Sequence, residues 1–309
     1  MVQKVGIWGS KGFVGQELVK ILSQKKQVEI IEVGKEQRIE DIAKETYYAF
    51  LALPVEQSIK LAPQLLKQKM YVIDLSGAFR LKDVVVFKKY YGISHTCPEY
   101  LGRAVYGLTE KNREEIRQAI LISNPGCYAT AVELALLPLI EYGFVDQYTG
   151  IIIEAVSGYT GAGRHAKIPQ CITPYKSDRA HQHVPEIEQA LGLNDQIHFF
   201  PHIAPWPRGI EVKIKLNIAR IDIFELYVKY YYPLRQKVFY VNIDTEAKKE
   251  NVIGTNLCQI FPKVNKHGEA EISVAIDNLG KGAAGQAVQN LITINSFFGE
   301  RVYEEKSVF

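Results

Sequence analysis

The chain has 309 residues, enough for two domains with cores of their own. Hydrophobic residues make up 47% and charged ones 23%, the balance of a soluble globular chain rather than a disordered one. A net charge of +3 with no Lys/Arg block excludes a nucleic-acid footprint, and no apolar run approaches the roughly 20 residues of a membrane helix.

The segment from Val2 to Trp8 reads as a buried strand that starts at once, with no signal peptide ahead of it, so a cytoplasmic protein is expected. Gly9, Ser10, Lys11, Gly12, Phe13, Val14 and Gly15 follow, with glycines three apart. Val14, Leu18, Ile21 and Leu22 then recur at helical spacing. Strand, glycine turn and amphipathic helix together make a dinucleotide site. The glycines let backbone approach a pyrophosphate, and the helix N-terminus faces its charge. The competing reading is a plain tight turn. Val28 to Val33 is the second strand. Glu32 near its end is expected to point into the core, while Lys35 and Arg38 behind it suit a 2′-phosphate, favouring NADP(H); the alternative is a solvated charged loop.

Further strands are expected at Tyr48–Leu53 and Tyr71–Leu75, with a helix from Ser58 to Lys67 interrupted near Pro63. This alternation predicts a parallel, doubly wound sheet whose ligands lie at the carboxyl ends of the strands. Arg80 sits at such an end and is suited to a carboxylate or phosphate, unless it makes only a surface salt bridge.

Ala119 to Ile122 is strand-like, and Ser123-Asn124-Pro125-Gly126 reverses the chain. A helix should begin at or near Cys127, with an apolar run from Ala131 to Ile140. A thiol at a helix N-terminus is stabilised as thiolate, and the free N–H groups suit an acyl oxygen under attack. The bland alternative is a small buried cysteine beneath a loop. Cys97, Cys171 and Cys258 stand far from it and form no Cys-x-x-Cys, which argues against a disulfide framework or a thiolate metal site.

Beyond Cys127 strands predominate: Gly150–Val156, Ile210–Leu216, Val238–Ile243, Leu257–Pro262 and Glu271–Ile276. They predict a second, α+β domain with a mostly antiparallel sheet. Ser157 to Arg164 reads as a flexible loop with hydroxyls and an arginine for a phosphate, or else a mobile surface loop. His181-Gln182-His183 precedes a helix expected from Pro185, and His202 follows Pro201. A cysteine that is acylated needs a proton partner, and a histidine titrates in the right range. A His-x-His pair also suits a metal, yet no third ligand of suitable spacing accompanies it; a structural histidine is the other alternative. No metal is expected. Asp277 to Ala287 opens a final helix, with Val288, Leu291, Ile292 and Asn295 on one side, expected to return to the first domain. The expected division is residues 1–126 with 287–309 for the dinucleotide domain, and 127–286 for the catalytic and oligomerisation domain.

Taken together, these parts fit acyl-phosphate reduction through a cysteine thioester. The blocks Ser123 to Ala131, Ser157-Gly158 with Gly161 to Arg164, His181 to Gln189, Pro201-His202 with Arg208-Gly209, and Asp277-Asn278 with Lys281 to Ala287 resemble the N-acetyl-γ-glutamyl-phosphate reductases nearly end to end. The resemblance implies NADPH-dependent reduction of N-acetyl-γ-glutamyl phosphate to the semialdehyde and phosphate, in arginine biosynthesis. It implies a Rossmann domain, an α+β domain and a homo-oligomer, either tetramer or dimer. It makes Cys127 the nucleophile and puts the acid/base histidine in the His-x-His motif, His181 ahead of His183 and His202 third. Arg80, Asn124, Ser157, Arg164 and His202 become substrate contacts. Gly158 and Asn278 join the first turn, Lys35 and Arg38 as cofactor contacts.

Several positions depart from the family pattern. Ser76-Gly77-Ala78-Phe79-Arg80 stands where Ser-Ala-Asp-Phe-Arg is common, so Arg80 lacks its usual acidic neighbour. Lys11 in the first turn and the shorter Gly34–Tyr48 segment alter the expected cofactor surroundings. Rival readings are aspartate-semialdehyde dehydrogenase, a lysine-pathway homologue acting on an aminoadipyl phosphate, sometimes carrier-linked, and a nucleotide sensor without catalysis. One methylene of substrate length is worth only about 1–3 kcal/mol, so the sequence separates the second poorly.

Overall fold

Apolar runs alternate with amphipathic ones through the first 126 residues, and each pair folds as a strand and a covering helix. A computed structural model describes residues 2–145, 149–164, 167–219, 221–235, 241–243 and 246–298. The chain divides into two units, Met1–Gly126 with Ala283–Phe309, and Cys127–Gly282.

In the first unit the elements are β1 (Gln3–Trp8), α1 (Phe13–Ser23), β2 (Val28–Val33), α2 (Ile39–Glu45), β3 (Tyr48–Leu51), α3 (Val55–Lys67), β4 (Tyr71–Asp74), α4 (Val84–Tyr91), β5 (Val105–Tyr106), α5 (Thr109–Gln118) and β6 (Leu121–Ser123). The six strands are parallel in the order β2-β1-β3-β4-β6-β5. The order reverses at β1, so the carboxyl end of β1 is the topological switch point. Trp8, Leu51, Ile59, Leu65, Val72 and Phe79 belong to the core beside the sheet. Contrary to expectation, α3 runs unbroken through Pro63. Its buried face of Ile59, Ala62, Pro63 and Leu65 outweighs the one hydrogen bond that proline removes. Glu32, expected inside, is exposed.

The second unit holds α6 (Cys127–Glu141), β7 (Ile151–Gly158), β8 (Thr173–Pro174), α7 (His183–Leu191), β9 (Ile197–Ala204), β10 (Ile210–Asn217), α8 (Ile223–Arg235), β11 (Val241–Ile243), α9 (Lys249–Val252), β12 (Cys258–Val264) and β13 (Glu269–Ile276). Its seven strands run β11-β12-β13-β10-β7-β9-β8, antiparallel except for β11 with β12 and β7 with β9. Helix α6 packs on β10, β12 and β13 and against α7 and α8. The other face alternates outward: Lys213 faces Glu271 at 3.6 Å and Lys215 faces Glu154 at 3.7 Å. The expected strand over 238–243 is seen from Val241; residues 236–240 lie outside the described ones.

Helix α6 is buried from Tyr128 to Leu139 and apolar there apart from Thr130 and Glu133, although Pro138 lies inside it. Proline has no N–H for the carbonyl four residues back, that of Leu134. The Tyr231 hydroxyl of α8 donates to that Leu134 carbonyl, and Tyr227 donates to that of Ala135. The return to the first unit ends in α10 (Gly285–Ile294), which packs on α1 and α5 as expected.

Candidate active site

The glycine turn after β1 is shaped by what surrounds it. Gly9 has φ +83°, and a Cβ there would lie 2.2 Å from the Ala52 carbonyl oxygen. A Cβ on Gly15 would lie 2.1 Å from the Gly9 oxygen. Only glycine fits either place. The N–H of Gly12 donates to the Gly9 carbonyl at 3.0 Å, closing the turn. No side chain caps α1, so its first N–H groups are left for a ligand. Ser10 is buried, Gly12, Phe13 and Val14 are half-buried, and Lys11 is exposed. This cradle fits a dinucleotide pyrophosphate. Lys35 and Arg38 are exposed beyond β2, with Arg38 Nε 3.5 Å from Glu40.

Arg80 lies at the carboxyl end of the same sheet and is buried. Its Nε donates to the Asn124 carbonyl at 2.8 Å and its Nη2 to the Leu75 carbonyl at 3.0 Å. The buried Asp74 at the end of β4 interacts electrostatically with Arg80. Burial raises the Asp74 carboxyl above its usual range, against hydrogen bonds from Ser58 and Ser76 and the charge of Arg80. The glycine at 77 also has a cause: a Cβ there would lie 2.0 Å from the Tyr91 hydroxyl. Asn124 has both ends of its amide engaged. Its Nδ2 donates to the Ala283 carbonyl at 3.2 Å, and its Oδ1 accepts from Asn290 at 3.1 Å.

In the second unit, Cys127 is half-buried and is the first residue of α6. The N–H groups of that first turn have no partner within the helix. Tyr128 follows it and packs edge-to-face on His181 and His183, with ring centres 5.8 and 5.9 Å away. The two imidazoles are 4.6 Å apart. Tyr175 lies 5.5 Å from His181, and its hydroxyl donates to that of Tyr128 at 3.4 Å. Burial raises both tyrosines above their usual range; Tyr175 and then the charge of Cys127 add to it at Tyr128, and Cys127 adds to it at Tyr175. The nucleophile and the histidine pair therefore share one aromatic cluster.

The histidines are not equivalent. The backbone N–H of His183 donates to Nδ1 of His181 at 3.1 Å, so neutral His181 carries its proton on Nε2. Burial and the neighbouring His183 push the His181 imidazole down to about 2. It stays neutral and donates. His183 opens α7, two residues ahead of the expected Pro185 start, since proline is tolerated in a first turn. His202 is on the other face of β9 from Phe199, which packs on Tyr128 and His181. Its Nδ1 meets the Phe200 carbonyl at 3.1 Å, and its own carbonyl accepts from Tyr128 at 2.9 Å.

The segment from Ser157 to Arg164 is not the flexible loop expected. Ser157 and Gly158 end β7, and Tyr159–Ala162 is one tight turn. Thr160 Oγ1 donates to the Pro207 carbonyl at 2.5 Å and accepts from Asn278 Nδ2 at 2.8 Å. Ser157 is buried and hydrogen-bonds Tyr128, while Arg164 is exposed. A Cβ on Gly158 would lie 2.5 Å from the Pro207 oxygen, so close packing accounts for that glycine. Asn278 is likewise engaged at both ends, its Oδ1 accepting from Gly209 N at 2.9 Å. Sequence reading missed Tyr175 and Asp74. Neither stands in a spacing that signals chemistry; Tyr175 matters through its contact with Tyr128, 47 residues away, and Asp74 through its burial beside Ser76 and Arg80. No group of three or more metal-ligating side chains occurs among the described residues.

Comparison with known proteins shows what the chain is similar to. Residues 34–119 match the family described as "Semialdehyde dehydrogenase, NAD binding domain", and residues 127–278 match "Semialdehyde dehydrogenase, dimerisation domain". A protein named N-acetyl-gamma-glutamyl-phosphate reductase from Lachnoclostridium phytofermentans is 36% identical over 96% of this chain and 95% of its own. One of the same name from Methanopyrus kandleri is 36% identical over 93% of this chain and 94% of its own. Among solved structures, aspartate semialdehyde dehydrogenase II from Vibrio cholerae complexed with ASA superposes with a TM-score of 0.72 at 17% identity, covering 95% of this chain and 98% of that one. A probable aspartate-semialdehyde dehydrogenase from Pseudomonas aeruginosa gives 0.70 at 16%, covering 96% and 100%. These structures share the two-domain fold.

Proposed function

The chain belongs to the N-acetyl-gamma-glutamyl-phosphate reductase family, and from that premise we propose that it reduces N-acetyl-γ-glutamyl phosphate to the semialdehyde, with release of phosphate, in arginine biosynthesis. The observation that carries this reading is Cys127 at the head of α6, in one aromatic cluster with His181 and His183. The sulfur attacks the acyl carbon; a C–S bond forms and phosphate leaves with the bonding electrons, taking its proton from solvent. The first-turn N–H groups of α6 stabilise charge on the acyl oxygen. His183 accepts the thiol proton. His181 stays neutral and donates through Nε2. Gly9 to Gly15 would hold the dinucleotide, which would supply the hydride. When the C–S bond breaks to give aldehyde, His183 returns the proton to sulfur. Arg80 meets the anionic end of the substrate.

NADPH is the proposed cofactor, on the strength of Lys35 and Arg38. The exposed Glu32 at the end of β2 speaks for a second reading, an enzyme that accepts NADH as well. Dissociation constants decide: replacing Lys35 and Arg38 with Ala should weaken NADPH about tenfold and leave NADH unchanged. Equal affinity of the unaltered protein for both would overturn the preference.

The decisive assay is phosphate-dependent oxidation of N-acetyl-glutamate semialdehyde beside the aspartate and aminoadipate semialdehydes. Fastest turnover is expected with the first, and none with Cys127→Ser. Preference for another semialdehyde would reassign the substrate, and cofactor binding without any turnover would leave a sensor. Mass spectrometry of a reaction lacking reduced cofactor should find acyl on Cys127.

A further inference from the structure

The turn after β13 comes closer to the cysteine than its sequence suggests. A Cβ built on Gly282 would lie 2.8 Å from Cys127 Cβ, 3.2 Å from Cys127 Cα and 3.2 Å from the Asp277 carbonyl oxygen. No real side chain tolerates the first distance. The backbone of Gly282 therefore lies against the nucleophile's own carbon. What fixes Gly282 is also visible. Its N–H donates to the Asp277 carbonyl at 2.9 Å. The fully buried Asp277 carboxylate is in turn held from three directions. Arg208 grips it at 3.1 and 2.5 Å, the Gly254 N–H donates at 2.7 Å, and the Leu279 N–H donates at 3.0 Å. Asn278, next in line, is tied to Gly209 and Thr160. A turn tied down by these hydrogen bonds thus ends in the one residue type that can lie flat against Cys127.

We propose that Gly282 is a positioning residue for Cys127, with the Asp277–Arg208 pair holding it at the right height. This rests on the reading of Cys127 as nucleophile. A methyl group at 282 forces either the cysteine or the turn to move, and misplacement by about 1 Å costs roughly 100-fold in rate. The same shift takes sulfur away from the first-turn N–H groups of α6, whose influence fades within a turn.

The test compares Gly282→Ala with the unaltered enzyme. Expected are a kcat lower by about 100-fold, KM values within about threefold, and an iodoacetamide inactivation profile of Cys127 whose midpoint rises by about one pH unit. Should Gly282→Ala not fold, Asp277→Asn reads the same quantities, since it loosens the turn and adds nothing beside the cysteine. Unchanged kcat and an unchanged alkylation profile would overturn the proposal. So would a parallel loss of kcat, substrate affinity and melting temperature, which marks a merely structural role. Turnover by Cys127→Ala would instead remove the nucleophile reading itself, so the two failures are told apart.

Discussion

A buried imidazole surrounded by aromatic rings has little to gain from a proton, and His181 illustrates this. Its folded value of about 2 lies below the 6.5 of a solvated histidine. The unfolded chain therefore binds a proton between those limits that the folded chain refuses. Stability is complete above pH 6.5 and falls as pH drops toward 2, by about 1.4 kcal/mol per pH unit from this group. Urea unfolding between pH 6 and 4 should show a shallower loss in His181→Asn than in the unaltered protein; parallel slopes would disprove the assignment. An acidic limb of the rate profile between pH 5 and 8 then belongs to another group, and His181→Asn should lower its height without moving it. Arg80 invites a similar separation. Lysine keeps the charge but cannot hold the Asn124 and Leu75 carbonyls and still fork onto an anion. Arg80→Lys should raise KM for the acyl phosphate about tenfold and leave the dissociation constant of NADPH unchanged.

At the level of elements, α6 is where folding and chemistry meet. Its largely apolar circumference lets it sink into the second unit. Pro138 would strand the Leu134 carbonyl there, and Tyr231 takes the place of the missing N–H. Tyr231→Phe should cost about 1–3 kcal/mol, the penalty of an unsatisfied buried acceptor, with activity per folded molecule retained. A change below about 0.5 kcal/mol in chemical denaturation would show that solvent reaches that carbonyl. Helix α3 teaches the converse lesson. Pro63 signals a break, and the break does not occur, because burial of the surrounding face outweighs one hydrogen bond.

For the molecule as a whole, the second unit carries the match to a dimerisation domain, over residues 127–278. We expect the protein to sediment at twice the chain mass or more at micromolar concentration; a monomer under those conditions would contradict a homo-oligomer. No helix among the described residues is long and apolar enough to cross a membrane.

Sequence alone determined the glycine turn, the parallel character of the first unit's sheet and the start of α6, because each follows from local spacing: Gly9, Gly12 and Gly15, alternating apolar runs, and Asn-Pro-Gly before Cys127. Tertiary structure decided the rest. It drew Gly282 onto Cys127, tied each of Asn124 and Asn278 to one backbone group and one side chain, and set His202 on the far face of its strand. These depend on contacts between residues distant in the chain, where packing and hydrogen-bond satisfaction choose among partners that no local period distinguishes.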